Sequence, residues 1–305
     1  MYATIDAHTH LGDILYRGGG SLIDEKGVVK PRIFDPISIS EAILHRDVGG
    51  GYLLYRLLGK WVTKAERARN FTATYENCRR SMDEAGITHT VCLPIPPHVN
   101  FDDLRAASTK DQGIIPFTGI DYTRDYDVHV ELAGDVKAGA KGLKLHPTIQ
   151  CIPLTSKKTF DAVEAFAPHG LPVLFHCGYS SYYLGGEKSK ENPSYSEIHY
   201  AADLVKAFPM VSFIAGHAGI FQVREVMALL SSYKNVSVDI SFQSPEKIRD
   251  LLRAFGPERV MYGSDWPWGS RVAMKKALMT ACGEDKGLER RVFFENAARL
   301  MGINA

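Results

Sequence analysis

Two histidines one residue apart, His8 and His10, close a short apolar run near the start of the chain, Tyr2-Ala3-Thr4-Ile5-Asp6-Ala7. On a β-strand, residues i and i+2 point to the same face. Two imidazoles placed that way make half of a tetrahedral metal site. A His-x-His pair alone also arises by chance. Its weight comes from four later strand-like runs that end in polar residues of matching chemistry: Lys144, His176, His217 and Asp265. His146 follows Lys144 by two, a second pair on one face.

The elements that must position these side chains alternate along the chain. Runs of strand length, rich in apolar and β-branched residues, fall at 2–8, 88–94, 114–121, 140–146, 171–177, 211–217, 236–241 and 259–265. Most are continuously apolar, the pattern of parallel strands covered on both faces. Helix-period segments lie between and after them, at 72–85, 101–110, 125–138, 156–167, 196–207, 222–231, 245–255 and 289–301. Eight strands alternating with eight helices predict a (β/α)8 TIM barrel, an α/β fold, as a single domain over 1–305. In that fold, side chains at the C-terminal strand ends share one mouth, where active sites lie. Five histidines, a lysine and an aspartate at that end are poorly explained as packing, because burying ionisable groups without partners or an ion costs several kcal/mol each. Residues 11–71 separate the first strand from its helix by far more than a usual loop. They are read as an insertion over the barrel mouth, carrying Gly18-Gly19-Gly20, Gly49-Gly50-Gly51, the apolar segment 52–58 and Trp61. A second insert, 179–195, rich in Tyr, Ser and Gly, is expected to be mobile.

Composition narrows the partners. Of the 305 residues, 45% are hydrophobic and 23% charged, and the net charge is +1, so no surface for nucleic acid or a membrane is indicated. No apolar stretch approaches the roughly 20 residues of a membrane span. The five cysteines are odd in number and form no C-x-x-C pair, which points to free thiols in a reducing cytoplasm. No basic-then-apolar leader precedes the first strand. A small-molecule substrate is expected, and self-association into a homo-oligomer is compatible with the composition.

The motifs HTH in strand one, GLKLHP in strand four, LFHCG in strand five, AGHAG in strand six and YGSDWP in strand eight resemble the amidohydrolase superfamily. The ending ENAARLMGI and the order of the motifs are similar to its amidohydrolase-related branch, which includes hydrolases, lactonases and decarboxylases like aminocarboxymuconate-semialdehyde decarboxylase. The resemblance implies one divalent metal, zinc foremost, on His8, His10, His176 and Asp265, with His217 beside it as an acid/base or electrostatic group. That donor set suits zinc on its own chemistry, and zinc lowers the pKa of bound water from about 15.7 to about 7. Asp265 is the expected proton acceptor.

Lys144 and His146 are expected to bind substrate. Family members with two metals carry a carbamylated lysine on strand four, but KLHP is similar to the one-metal branch. An ammonium about 6 Å from a dication is repelled by roughly 5 kcal/mol at an effective dielectric near 20. Lys144 is therefore read as a cation set somewhat farther off, holding a substrate oxyanion. Arg17, Tyr52, Tyr55 and Arg56 are candidate anion contacts from the insertion, and Asp239 either supports a histidine or caps a turn. The leading reading is a hydrolase that uses metal-bound water to cleave an amide, lactam, lactone or ester. The alternative is a metal-dependent nonoxidative decarboxylase of a small carboxylic acid.

Overall fold

The computed structural model describes residues 2–46 and 51–303, with the backbone alone at 51–54 and 56. Its short strands all run parallel: β1 Ile5–Thr9, β2 His89–Cys92, β3 Ile114–Pro116, β4 Thr118–Gly119, β5 Leu143–Leu145, β6 Val173–Phe175, β7 Phe213–Ala215, β8 Val236–Asp239 and β9 Val260–Met261. One sheet holds β1-β2-β3 and the other β4 through β9. The break falls at Phe117, so the strand expected over 114–121 is two pieces of one stave. Pro116 has no amide to donate to a ladder. Bonds from Phe117 N to Cys92 O (3.0 Å) and from Thr118 N to Gly142 O (2.8 Å) carry the wall across the break.

The other seam closes the barrel. Ala7 N donates to Tyr262 O (2.9 Å), Asp265 N donates to His8 O (2.8 Å), and Thr9 bridges Trp266. Asp6 reinforces the seam from outside, accepting from Ser264 N (2.9 Å), Ser264 Oγ (2.6 Å) and the buried Arg271 Nε (2.9 Å). The result is the predicted (β/α)8 barrel. Its inner layer includes Ile5, Leu174, Ile214 and Met261, and Phe294, Ala297 and Met301 join the same cluster. The opposite strand faces pack under the helices, which is why the strands read as unbroken apolar runs.

The helices are α1 Pro36–Ile43, α2 Gly51–Asn70, α3 Tyr75–Ala85, α4 Phe101–Lys110, α5 Val128–Lys137, α6 Lys157–Phe166, α7 Ile198–Ala207, α8 Val223–Leu230, α9 Pro245–Phe255, α10 Arg271–Cys282, α11 Lys286–Arg290 and α12 Asn296–Met301. Caps set several boundaries. Thr74 accepts from Asn77 N, so α3 starts later than expected, and Gly86, at φ 64°, ends it. The helix expected over 289–301 is α11, a π-helical turn at Arg291–Glu295, and α12. The sequence reading omits α10, although buried Met274, Ala277, Leu278 and Cys282 recur at helical spacing behind the Ser270 cap.

Between β1 and α3, the insertion folds as α1 and α2, with α2 kinked at Leu58. Arg69 pins the pair. Its guanidinium donates to Asp35 (3.0 Å), to both oxygens of Glu41 (2.9 Å each), to Ser38 Oγ (2.9 Å) and to the carbonyl of Trp268 (2.7 Å). The insert at 179–195 is bound to the same structure. Tyr183 donates to Leu15 O (2.6 Å), Thr63 Oγ1 to Ser181 O (3.3 Å), and Glu187 pairs with Arg67 (3.2 Å). This second insert, expected to be mobile, is thus tied down by side chains from the first. All five cysteines are free, Cys151 exposed and the others buried. Among the described residues, no helix is long and apolar enough to cross a membrane.

Candidate active site

The two strand-one histidines are fixed in one tautomer each by what lies behind them. His8 Nδ1 meets Asp239 Oδ2 at 2.8 Å, and His10 Nδ1 meets Leu93 O at 2.9 Å. A carboxylate and a carbonyl only accept, so both rings carry hydrogen on Nδ1 and present a lone pair on Nε2. Those Nε2 atoms lie 3.6 and 3.5 Å from Asp265 Oδ1. Asp239 does both jobs open to it. Its Oδ2 also accepts from His217 N (3.0 Å), and its Oδ1 accepts from Ser241 N (3.0 Å) and Oγ (2.5 Å). Lys144 is buried, in register with Leu174 on β6, and its Nζ donates to His8 Nε2 at 3.1 Å.

His217 and Asp265 both occupy the left-handed backbone region, at φ 58° and 57°, which costs on the order of 1–3 kcal/mol for residues with side chains and is found where structure over-determines it. Gly216 makes His217's approach possible, since a Cβ there would lie 3.1 Å from His8 Cε1 and 2.9 Å from Phe175 O. The His217 ring lies 4.2 Å from that of His8, and its Nδ1 is 3.8 Å from Asp265 Oδ2. His176 gives its Nε2 hydrogen to Gly178 O (3.2 Å), beside Ser180 Oγ at 2.9 Å. Its Nδ1, with His217 Nδ1 and Asp265 Oδ1, is buried without a hydrogen-bond partner.

His146 stacks on His176 with ring centres 4.2 Å apart. Both its ring nitrogens are committed, Nδ1 accepting from Ile149 N (3.3 Å) and Nε2 facing Tyr182 OH (3.3 Å). Its ring thus lies against His176 with a partner on each nitrogen.

Burial sets the charge states. Desolvation, with Lys144 adding repulsion, drives His8, His10 and His146 well below the usual histidine range, and His176 to about 3. His217 is lowered by burial and by His8. Neutral rings are what metal ligation requires. Burial pushes the Asp265 carboxyl up and the Lys144 ammonium down, the latter to about 8. Imidazole nitrogens and a desolvated carboxylate brought together at this mouth are donors that fit a cation. Ligand atoms of His8, His217 and Asp265 lie within 4.8 Å of one another. His10 Nε2 lies 3.5 Å from the same carboxylate, while His176, expected as a ligand, stands outside this group with its ring 5.0 Å from that of His217.

A cavity of about 170 Å³ adjoins this cluster. Its walls are Ile37, Leu44, Tyr55, Val62 and Glu66 from the insertion, Tyr179 and Ser180 from the second insert, and Ile220, Phe221 and Phe242 from the barrel. Phe242 packs 5.7 Å from the His217 ring, and Ser180 is the residue that touches His176. Tyr55 stacks on Phe221 at 5.1 Å. Of the other anion candidates from the insertion, Arg17 is exposed in a separate groove, and the side chains of Tyr52 and Arg56 lie outside the described residues. Trp268 lies against Tyr182 (4.9 Å), and Trp266 carries Arg271 on its face (4.8 Å). Sequence reasoning missed Ser180, Tyr182, Phe242 and Glu66. They sit on loops or on the insertion, where no periodicity marks an inward-facing residue.

A parallel barrel with histidines and an aspartate gathered at its C-terminal mouth puts a candidate cation site where active sites of this fold lie. The amidohydrolase family model matches residues 5–303, and the chain belongs to that family. It is an enzyme of the amidohydrolase superfamily, in the branch that the motifs resemble. Similar solved structures include a 5-carboxyvanillate decarboxylase from Novosphingobium aromaticivorans complexed with manganese and 4-hydroxy-3-methoxy-5-nitrobenzoic acid. It is 16% identical, with TM-score 0.67, covering 99% of this chain and 96% of that one. A 2,6-dihydroxybenzoate decarboxylase from Rhizobium is 14% identical, with TM-score 0.63 and full coverage of both chains. A candidate 2-pyrone-4,6-dicarboxylic acid hydrolase from Pseudomonas putida is 20% identical, with TM-score 0.60 and full coverage of both. These likenesses establish the shared fold. No curated protein sequence matches the chain.

Proposed function

We propose that the chain catalyses the metal-dependent, nonoxidative decarboxylation of a small aromatic carboxylic acid. The observation that carries this reading is the roofed cavity beside the histidine cluster. An apolar cavity of about 150 Å³ holds benzene, so about 170 Å³ suits a single ring. Tyr55, Tyr179, Phe221 and Phe242 give it aromatic contacts, and the insertion supplies much of its wall. Such a space suits a flat acid. Two of the similar structures are decarboxylases of hydroxylated aromatic acids, which supports the same reading.

His8, His10 and Asp265 would hold the ion, with His176 Nδ1 or His217 Nδ1 completing the set. Imidazoles with a carboxylate suit zinc, and the manganese in the Novosphingobium enzyme makes that ion the second to test. A dication bound there would supply positive charge for the substrate's oxygens. Lys144 Nζ, at 3.1 Å from His8 Nε2, lies nearer the proposed ligands than the sequence predicts; it would have to turn away from a cation there, and in that position it would hold the substrate carboxylate. His217 and Asp265 are the groups placed to carry the proton. The ring carbon takes that proton, the bond to the carboxyl carbon breaks, and its electron pair returns to the ring as CO2 leaves. Phe242 and the roof would supply the apolar contacts of the ring.

Hydrolysis of an ester or lactone is the second reading. It is favoured by one observation, the buried and unpartnered Asp265 Oδ1, which is placed to take a proton from water. The test uses protein loaded with Zn2+ or Mn2+ and offered hydroxylated benzoic acids alongside lactones and esters. CO2 release matching substrate loss, abolished by a chelator, is the expected result. Acid release from a lactone or ester with no CO2 would transfer the function to hydrolysis.

A further inference from the structure

The insertion places in the cavity one side chain that no group among the described residues satisfies. Glu66, on α2, lines the wall among Val62, Tyr55 and Phe242, and its Oε2 is fully buried with no hydrogen-bond partner. An ordinary structural glutamate on a helix would pair with the arginine one turn on. Arg69 is there, but its donors are already spent on Asp35, Glu41, Ser38 and Trp268 O. The neighbouring carboxylates are satisfied as well. Asp35 also takes Lys30 (2.6 Å), Glu41 is held by Arg69, and Glu191 accepts from Ser181 Oγ (2.6 Å) and Tyr182 N (2.7 Å). A buried acceptor left open costs on the order of 1–3 kcal/mol, and here it opens on a space sized for a ring.

We infer that Glu66 is a specificity-determining residue that reads a hydroxyl group on the substrate ring. The inference rests on the aromatic-acid reading above and adds to it the substituent that the roof recognises. Burial raises the Glu66 carboxyl to about 8, so near neutral pH it is largely protonated. It can then donate to and accept from a phenolic hydroxyl without placing a charge in an aromatic cavity. Because the partner is supplied by the insertion and not by the barrel, the metal ligands can stay the same while the ring substituent accepted is set by the roof. A pocket built to hydrogen-bond a hydroxyl discriminates strongly against the analogue that lacks it.

The test is calorimetric titration of the Mn2+-loaded protein with benzoate and with its three monohydroxy isomers, for the wild type, Glu66→Leu and Glu66→Ala. At least one hydroxy isomer should bind the wild type about 10-fold more tightly than benzoate. Both variants should bring that ratio to about one while leaving benzoate affinity within about threefold. Glu66→Ala, which adds no bulk, decides the matter if leucine disturbs the roof. A hydroxyl preference that survives in either variant overturns the inference, as does a wild type that binds benzoate and all three isomers alike. In those cases benzoate still binds and the aromatic-acid reading stands. Failure of the wild type to bind any of the four removes that reading itself, and the role of Glu66 with it.

Discussion

His8 is held from behind by Asp239 and turns its other nitrogen, which accepts from Lys144, toward Asp265, so its usefulness as a ligand would depend on a residue that would never touch the ion. Replacing Asp239 with Asn leaves a side chain of the same shape that no longer forces the hydrogen onto Nδ1. We expect Asp239→Asn to weaken divalent-ion affinity by about 10–100-fold, read by titrating stripped protein with Zn2+ or Mn2+; unchanged affinity would refute the arrangement. The ligand residues stood out in the sequence because histidine and aspartate at strand ends are rare as packing. Asp239 was visible only as a choice between two roles, and the structure shows it filling both. Glu66 was invisible, since a glutamate on a basic, partly exposed helix looks like any solvated residue. It should nonetheless mark the pH dependence of stability. Its ordinary value is 4.5 and its folded value about 8, raised by burial and by Glu191 and Asp35 against the opposing charge of Arg69. The folded state binds the proton more tightly, so the stabilisation is complete below about 4.5 and is lost as pH rises toward 8. Glu66→Gln should flatten that decline, checked by urea midpoints at several values across the window.

Among the elements, the strands were readable because both faces are buried, and a β-branched apolar run of that length seldom forms anything else. Where the backbone departs from regularity, the pattern gave no warning. The third stave breaks at Pro116–Phe117, and the C-terminal helix contains a π turn. The insertion was recognisable as an excess of residues, but α1 and α2 find their place only through contacts with distant parts of the chain. Arg69 is the chief of these, joining α2 to α1 and to the loop after β9 through Trp268. Removing one member of a buried ionic network costs about 3–5 kcal/mol. Here the loss should fall on the roof. Arg69→Leu is expected to raise KM more than it lowers kcat and to speed amide exchange in α1 at least ~10-fold, with the barrel strands still protected. Exchange that accelerated equally in β5 and β6 would show the network to be global instead.

At the scale of the whole molecule, chemistry and stability occupy opposite ends. The histidines, Lys144 and Asp265 gather at one mouth, whereas Phe294 and Met301 pack into the inner cluster from the C-terminal helices. Phe294→Ala should therefore cost roughly 3–5 kcal/mol in unfolding free energy while leaving kcat and metal content within about twofold; a large fall in kcat would show the two ends to be coupled. The alternation of strands and helices made the barrel foreseeable, but which loop would cover the mouth depends on side chains from separate segments meeting in space. The seam that closes the barrel has a further consequence for how the chain is made. Asp6 bonds to Ser264 across 258 residues of sequence, and His8 meets Asp265 at the same join. A ribosome adding about 5–20 residues per second exposes the first strand tens of seconds before its last neighbour exists. Throughout that interval β1 has one unpaired edge, the kind of surface on which nascent chains associate wrongly. The proposed cation site could not be complete until the final stave docks, so uptake of the ion it would hold would belong to the end of synthesis.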